Sequence, residues 1–434
     1  MRKVSADTRR LYSAIVTAVL AALPMTCGAA DKTIKIGVDL PLSGGDAANG
    51  IPTRNGIVLA VERANAKGVP GGFTFVVDDR DDAVQGAHDP SAGAANTRAF
   101  VSDPSVLAMI GPFNSNVAKA EIPITNDAGL TQISPSTTNP ALTKGRDATL
   151  LRPSHPGANT YFRVCTTDDR QGAADAAFAR KFGYKKAFIV DDDETYGKGL
   201  ADVFEGDFAR GGGTVVGHEH LTKAQIDIEQ VLAKIGSAHP DMVFYGGTTV
   251  TGGGVLRRKM ADSGLQNVAF FGGDGISDDT FLSTAGGMAN GTYYTVAAPE
   301  TSRLTSAARF VAEYRTRWAS DVGPYSANAF AATSIEIAAI EKAIKAERGK
   351  MPTRAEVLEN VAATRNFPTP IGSVGFDANG DITAGVLSLY KIENGKAKFV
   401  DQVFERQSAF SQRCREFLER LLSLQRPRTV SLRG

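Results

Sequence analysis

The chain has 434 residues, 42% of them hydrophobic and 22% charged, with a formal net charge of +1 at pH 7. This length and composition suit a globular protein of two or three domains with a substantial core. A charge so close to neutrality supplies no field for nucleic acid or an anionic membrane, and aromatics are not interleaved with basic runs, so no nucleic-acid partner is expected.

The N-terminus runs charged, apolar, small. Arg2, Lys3, Arg9 and Arg10 precede the apolar stretch Leu11 to Leu23, which ends at Pro24 and is followed by Gly28, Ala29 and Ala30. That order predicts a cleaved secretory signal over residues 1–30 and a periplasmic location. The run is too short to cross a bilayer, and no other stretch is apolar enough to do so. Cys27 follows Leu23 at lipobox spacing, but Met25 and Thr26 fit such a box poorly. Cys165 and Cys414, the other cysteines, do not make a disulfide framework.

From Asp31 onward, β-type runs alternate with helical patterns. Ile34–Leu40 reads as a strand, Gly50–Lys67 as a helix, Phe73–Val77 as a strand and Ser91–Val101 as a helix. Val106–Ile110 and Leu130–Ile133 are strands flanking a helix from Ser115 to Asp127. The block ends near Leu150–Pro153 and the plan repeats: strand Lys186–Val190, helix Gly197–Arg210, then strands Thr214–Val216, Met242–Tyr245 and Ala269–Phe271. Strand character returns at Thr292–Val296, a strongly helical stretch runs from Ser306 to Lys345, and Gly372–Val403 is β-rich with turn signals at Ala378–Gly380 and Asn394–Gly395. Continuous apolar runs separated by helices imply parallel sheets covered on both faces, here two doubly wound α/β lobes. The expected division is 31–151 plus 294–371 for one lobe and 152–293 plus 372–405 for the other. The tail, 406–434, carries an apolar stripe at helical spacing among arginines; it is expected to be an appended helix.

Two such lobes place a ligand at the carboxyl ends of their strands, so the strand-to-helix loops carry the chemistry. Gly111-Pro-Phe-Asn-Ser-Asn opens a helix and sets Ser115 at its N-terminus, a ready carboxylate site or simply a capped helix. Ile133-Ser-Pro-Ser-Thr-Thr-Asn-Pro exposes Ser136 and Thr138 at the end of the next strand. Gly272-Gly-Asp-Gly puts Asp274 where it could meet an ammonium group, or bond its own backbone as a turn residue. Thr248, in the Gly-rich loop after Met242–Tyr245, is a further candidate contact.

The ordered set of Ile36-Gly-Val-Asp-Leu-Pro-Leu-Ser-Gly, the Gly111–Thr143 block, Thr195-Tyr-Gly-Lys-Gly-Leu, Phe244-Tyr-Gly-Gly and Phe271-Gly-Gly-Asp-Gly resembles the leucine/isoleucine/valine-binding proteins, from about residue 33 to residue 405. The resemblance implies a type I periplasmic binding fold with three crossovers between lobes. It also implies a monomer that captures an amino acid for the permease subunits of an ABC transporter, with no cofactor and no catalytic role. Ser115 then matches a carboxylate ligand, and Ser136 and Thr138 match carboxylate and ammonium contacts. Asp274 matches the ammonium acceptor, while Tyr196, Tyr325 and Phe113 match pocket walls. Two departures stand out. Asn49 falls where branched-chain binders carry a pocket Tyr, and Asn114 with the Asp81 region replaces a cysteine pair; both asparagines are further candidate ligand contacts. The segment Asp81–Pro90 is also longer than usual.

Other features compete. A sensor domain for an amino acid or small amide would use the same fold, and an amide hydrolase would need a nucleophile–base motif that the sequence does not supply. His218-Glu-His puts both histidines on one strand face, but without a third ligand a solvated strand is expected, with no metal. Asp191-Asp-Asp-Glu is likewise expected to be a solvated strand end.

Overall fold

A computed structural model describes residues 32–155, 157–221 and 228–406. The expected signal, with Cys27, and the basic apolar tail, with Cys414, lie outside the described residues.

The first half contributes strands β1 (Thr33–Leu40), β2 (Thr74–Asp81), the short pair β3 (Ala83–Val84) and β4 (Ala87–His88), then β5 (Val106–Ile110), β6 (Thr131–Ser134) and β7 (Tyr161–Arg163). Five of these form a parallel sheet in the order β2-β1-β5-β6-β7. The second half repeats the order. Strands β8 (Lys186–Asp191), β9 (Thr214–His220), β10 (Met242–Gly246), β11 (Ala269–Gly272) and β12 (Tyr293–Val296) lie as β9-β8-β10-β11-β12, all parallel. After the small ribbon β13 (Phe367–Thr369) and β14 (Gly372–Val374), the hairpin β15 (Ala384–Glu393) and β16 (Lys396–Arg406) adds two antiparallel strands to that sheet. Asn394 and Gly395 turn this hairpin, both at positive φ as a tight two-residue turn requires. In each sheet the winding direction reverses beside its first strand, at β1/β5 and at β8/β10. A crevice outside the strand ends opens at such a reversal.

The first sheet is covered by the helices Ala47–Lys67 and Ser326–Ala346. Ile57, Val61, Ile335, Ile340 and Ile344 share one buried cluster with Ile34, Ile36, Val38, Ile110 and Ile133. The two helices touch backbone to backbone at Gly56, where a Cβ would lie 2.1 Å from the carbonyl oxygen of Ser326. Glycine costs helix stability by about 1 kcal/mol, and only its missing side chain permits this approach.

The chain passes between the sheets after β7, after β12 and before β15, and the first two passages are bonded side by side with the opening residues of β15. The Thr166 N–H donates to Ala297 O at 3.2 Å, its hydroxyl donates to Val386 O at 2.9 Å, and Ser388 Oγ donates to Ala298 O at 2.8 Å. Arg163 anchors them. It is wholly buried and donates to Asp381 Oδ1 at 2.7 Å, to Thr137 O at 3.1 Å, to Asn139 O at 2.7 Å and to the Thr143 hydroxyl. Burial pushes the Asp381 carboxyl up, but Arg163 and Lys144 outweigh it and hold it below the ordinary range.

Three expectations shift. The edge strands are longer than the apolar runs suggest: β2 continues through Asp78, Asp79, Arg80 and Asp81, and β9 through His218, Glu219 and His220. An edge strand is exposed along one side and accepts charges there. The helical stretch from Ser306 breaks into Ala308–Trp318 and Ser326–Ala346, with Ala319 left-handed and Pro324 in the gap, where a ring without an N–H cannot continue a helix. The first passage lies beyond Tyr161–Arg163, later than the break near Leu150–Pro153, because a three-residue strand shows no periodicity.

Arg163→Met is expected to lower stability by about 3–5 kcal/mol, since it strands Asp381 and two carbonyls without their buried donor. Urea unfolding at pH 7 measures this, and wild-type stability in the variant would contradict the assignment of the anchor.

Candidate functional site

The centre of the site is Asp274, just after β11. The loop is crowded at Gly275, where a Cβ would lie 2.2 Å from the carbonyl oxygen of Gly247. The buried carboxylate receives donors from three different segments. Gln171 Nε2 donates to Oδ1 at 2.7 Å, Tyr196 Oη donates to Oδ1 at 3.1 Å, and Tyr325 Oη donates to Oδ2 at 3.0 Å. Both tyrosines are fixed from behind: Tyr196 Oη accepts the Gly275 N–H at 3.1 Å, and Tyr325 Oη accepts the Ala297 N–H at 3.3 Å. Burial pushes the Asp274 carboxyl up; hydrogen bonds from Gln171, Tyr325 and Tyr196 pull against this, and the balance stays above the ordinary carboxylate value. Among the described residues no Lys, Arg or His forms an ion pair with it.

The facing wall comes from the first sheet. Phe113 meets the Tyr325 ring edge-on at 5.5 Å between centroids. Ser115 begins the helix Ser115–Ala128, and Asn114 at its N-cap makes no side-chain cap. The Ser115 hydroxyl accepts the Asn139 N–H at 3.3 Å, and Ser136 Oγ donates to Phe113 O at 2.9 Å. Thr138 accepts the Asp168 N–H on its carbonyl at 2.9 Å, while its buried hydroxyl lacks a partner in hydrogen-bond geometry. Asn114 Oδ1 is buried without a partner as well. Such orphaned polar atoms are rare in native proteins and call for an explanation. Asp168, one turn before Gln171, is pushed well above the ordinary carboxylate range by burial.

Phe113, Tyr325, Asp274 and Tyr196 are thus linked by direct contacts, and Ser115, Ser136 and Thr138 occupy the adjoining loops. Two expected contacts are engaged elsewhere. Asn49 Nδ2 donates to Asp278 Oδ2 at 3.2 Å, and the Thr248 hydroxyl is held by Thr251 at 3.1 Å. Gln171 carried no sequence signal, because it lies within an ordinary amphipathic helix, Asp168–Lys181. Asp191-Asp-Asp-Glu is not a solvated end: Asp191 and Asp192 are buried, and burial pushes Asp192 up to about 7. Glu194 meets His88 instead. His88, in the long Asp81–Pro90 segment, places Nδ1 2.8 Å from Asp46 and Nε2 2.8 Å from Glu194, and so bridges the loops of the two sheets.

Two doubly wound sheets whose strand ends share one buried polar cluster, joined by three passages, define a two-lobed solute-binding protein of the type I fold. The chain belongs to the periplasmic binding protein family, which it matches over residues 33–397. It is 32% identical over 390 residues to the Leu/Ile/Val-binding protein BraC3 of Rhizobium johnstonii, covering 90% of this chain and 98% of that one. Among solved structures it resembles the leucine-binding protein LivK of Thermotoga maritima, with a TM-score of 0.74, 25% identity and coverage of 85% and 98%. It also resembles the branched-chain amino acid transporter substrate-binding protein LivJ of Streptococcus pneumoniae in complex with isoleucine, with a TM-score of 0.74, 25% identity and coverage of 86% and 100%.

His88 gives a pH test. Burial pushes its imidazole down, but hydrogen bonds and charge from Asp46 and Glu194 outweigh this and raise it from 6.5 to about 10. A folded-state value above the unfolded one stabilises fully below pH 6.5, and the effect is lost as pH rises through about 10. His88→Gln is therefore expected to destabilise by roughly 2–4 kcal/mol at pH 6. The gap from wild type should close above pH 10 in thermal melts taken across pH 6–11.

Proposed function

We propose that this chain, once exported, captures a branched-chain or closely related amino acid between its two lobes and delivers it to the permease of an ABC transporter. The observation that carries this reading is Asp274. It is a buried carboxylate held by three donors, raised above its ordinary value, and among the described residues it has no ion-pair partner. A ligand ammonium would complete the charge balance, because a buried charge is stable only when paired. The start of the helix Ser115–Ala128, with Ser115, Ser136 and Thr138 around it, suits the ligand carboxylate. Phe113 and Tyr325 supply the apolar contact for a side chain. The names of the relatives support branched-chain ligands. A ligand touching both walls stabilises the closed arrangement by its differential affinity.

Calorimetric titration with leucine, isoleucine and valine tests the reading. At least one is expected to bind, and Asp274→Ala to weaken it by about 2–5 kcal/mol. Tyr325→Phe removes one charge-assisted hydrogen bond and should cost less, about 1.5–3 kcal/mol. Binding of none of the three to the wild type, or unchanged affinity in Asp274→Ala, would refute the assignment.

A further inference from the structure

We infer that Asp191, His218 and His220 form a binding site for one zinc-class divalent cation on the edge of the second sheet. Strand β9 is outermost there and pairs only with β8, with His220 opposite Asp191. The two-residue period of a strand puts both histidines on one face. The third ligand that the sequence did not reveal is supplied by the neighbouring strand. Asp191 Oδ2 lies 2.8 Å from His218 Nε2, and Oδ1 lies 2.7 Å from His220 Nδ1. The three prospective ligand atoms all fall within 4.8 Å of one another.

Two imidazole nitrogens and one carboxylate oxygen make up the protein part of a Zn(II) site with one position open to water. Asp191 is fully buried, fixed further by the Asp193 N–H at 2.8 Å, whereas the His220 side chain is 46% exposed and leaves the open position accessible. A tetrahedral ion about 2.0–2.1 Å from each ligand atom holds those atoms about 3.3 Å apart, so the Asp191–His218 contact must lengthen by about half an ångström and His220, which meets the other carboxylate oxygen, must turn toward the ion. The exposed His220 has room to make that move.

A second observation points to a cation. His218 has carboxylates at both ring nitrogens, since its Nδ1 lies 2.8 Å from Glu205 Oε2. A neutral imidazole carries one N–H and satisfies only one of them; the other contact needs a proton or a metal ion at that nitrogen. With Glu205 accepting the Nδ1 proton, the Nε2 lone pair points at the proposed ion. Carboxylate, histidine and metal in line is the arrangement that orients metal-binding histidines. The opposite side of His218, facing Asp202 and Glu205, is the poorer choice. It offers one nitrogen, and Asp202 is held by Lys198 at 2.6 Å. On binding, the metal replaces the protons between the imidazoles and Asp191, which pass to solvent. The ion would pin the outermost parallel strand to its neighbour and, through Glu205, to the helix Thr195–Arg210.

The test is titration of Zn(II) into the full chain after removal of metal with a chelator, read by calorimetry and by thermal melting. One Zn(II) per chain and a raised melting temperature are expected. Co(II) in its place should give visible absorption bands of an imidazole-bound ion. His220→Asn, at an exposed position, and His218→Gln should each abolish the melting shift, and Glu205→Gln should weaken binding about 10- to 100-fold. No uptake of Zn(II) by the wild type, or wild-type affinity in both histidine variants, would overturn the proposal; so would wild-type affinity in Glu205→Gln, for the role given to that carboxylate.

Discussion

A carboxylate removed from water must be compensated, and the structure converges on that requirement at Asp274. Its three donors come from separate parts of the chain: the helix after the first passage, the first turn of the helix Thr195–Arg210, and the turn before the helix Ser326–Ala346. Each donor is itself held, and Tyr325 is held by the backbone of the second passage at Ala297. The buried charge is therefore wired into the connection between the sheets. Changes in that connection reach Asp274 through Tyr325, whose contacts are already in place. Preorganisation of this kind lowers the cost of binding, because few side chains remain to be ordered.

The repeat of one strand order in both sheets gives the geometry its economy. Each sheet reverses its winding beside its first strand, so each presents a loop crevice at the same relative place. Polar contacts between the two sets of loops are numerous: His88 to Glu194, Asn116 to Glu194 at 2.9 Å, Asn49 to Asp278, and the Thr280 hydroxyl to Gly45 O at 3.0 Å. These contacts are hydrogen bonds between polar groups, unlike the apolar clusters within each half. Interfaces of that kind favour relative motion over permanent adhesion.

Much of this was legible in the sequence. Continuous apolar runs such as Val106–Ile110 and Met242–Tyr245 are buried on both faces, so they stand out as short unbroken apolar blocks and their bounds hold within a residue. Asp274, Tyr196 and Tyr325 were named from the resemblance of their loops, and in the structure both tyrosines donate to Asp274. The remainder failed for physical reasons. Edge strands carry charges that mimic loops, as in Thr74–Asp81 and Thr214–His220. Gln171 and His88 act through partners more than a hundred residues away, Asp274 and Glu194 respectively. Local pattern holds no record of such pairings. The carboxylate of Asp191 beside His218 and His220 escaped for the same reason: it belongs to a strand two elements earlier.

The bonding of the first two passages to the start of β15 has a mechanical meaning. Separate tethers would let the halves slide, twist and part in any direction. Strands laced through Thr166, Ala297, Val386 and Ser388 act as one ribbon, stiff against shear in its own plane and compliant only in bending across it. The halves are left with essentially one soft coordinate, a flexing about the ribbon. A single coordinate turns the relation of the two halves into a simple open-or-shut choice, set by the ribbon and not by the loops on either side of the crevice.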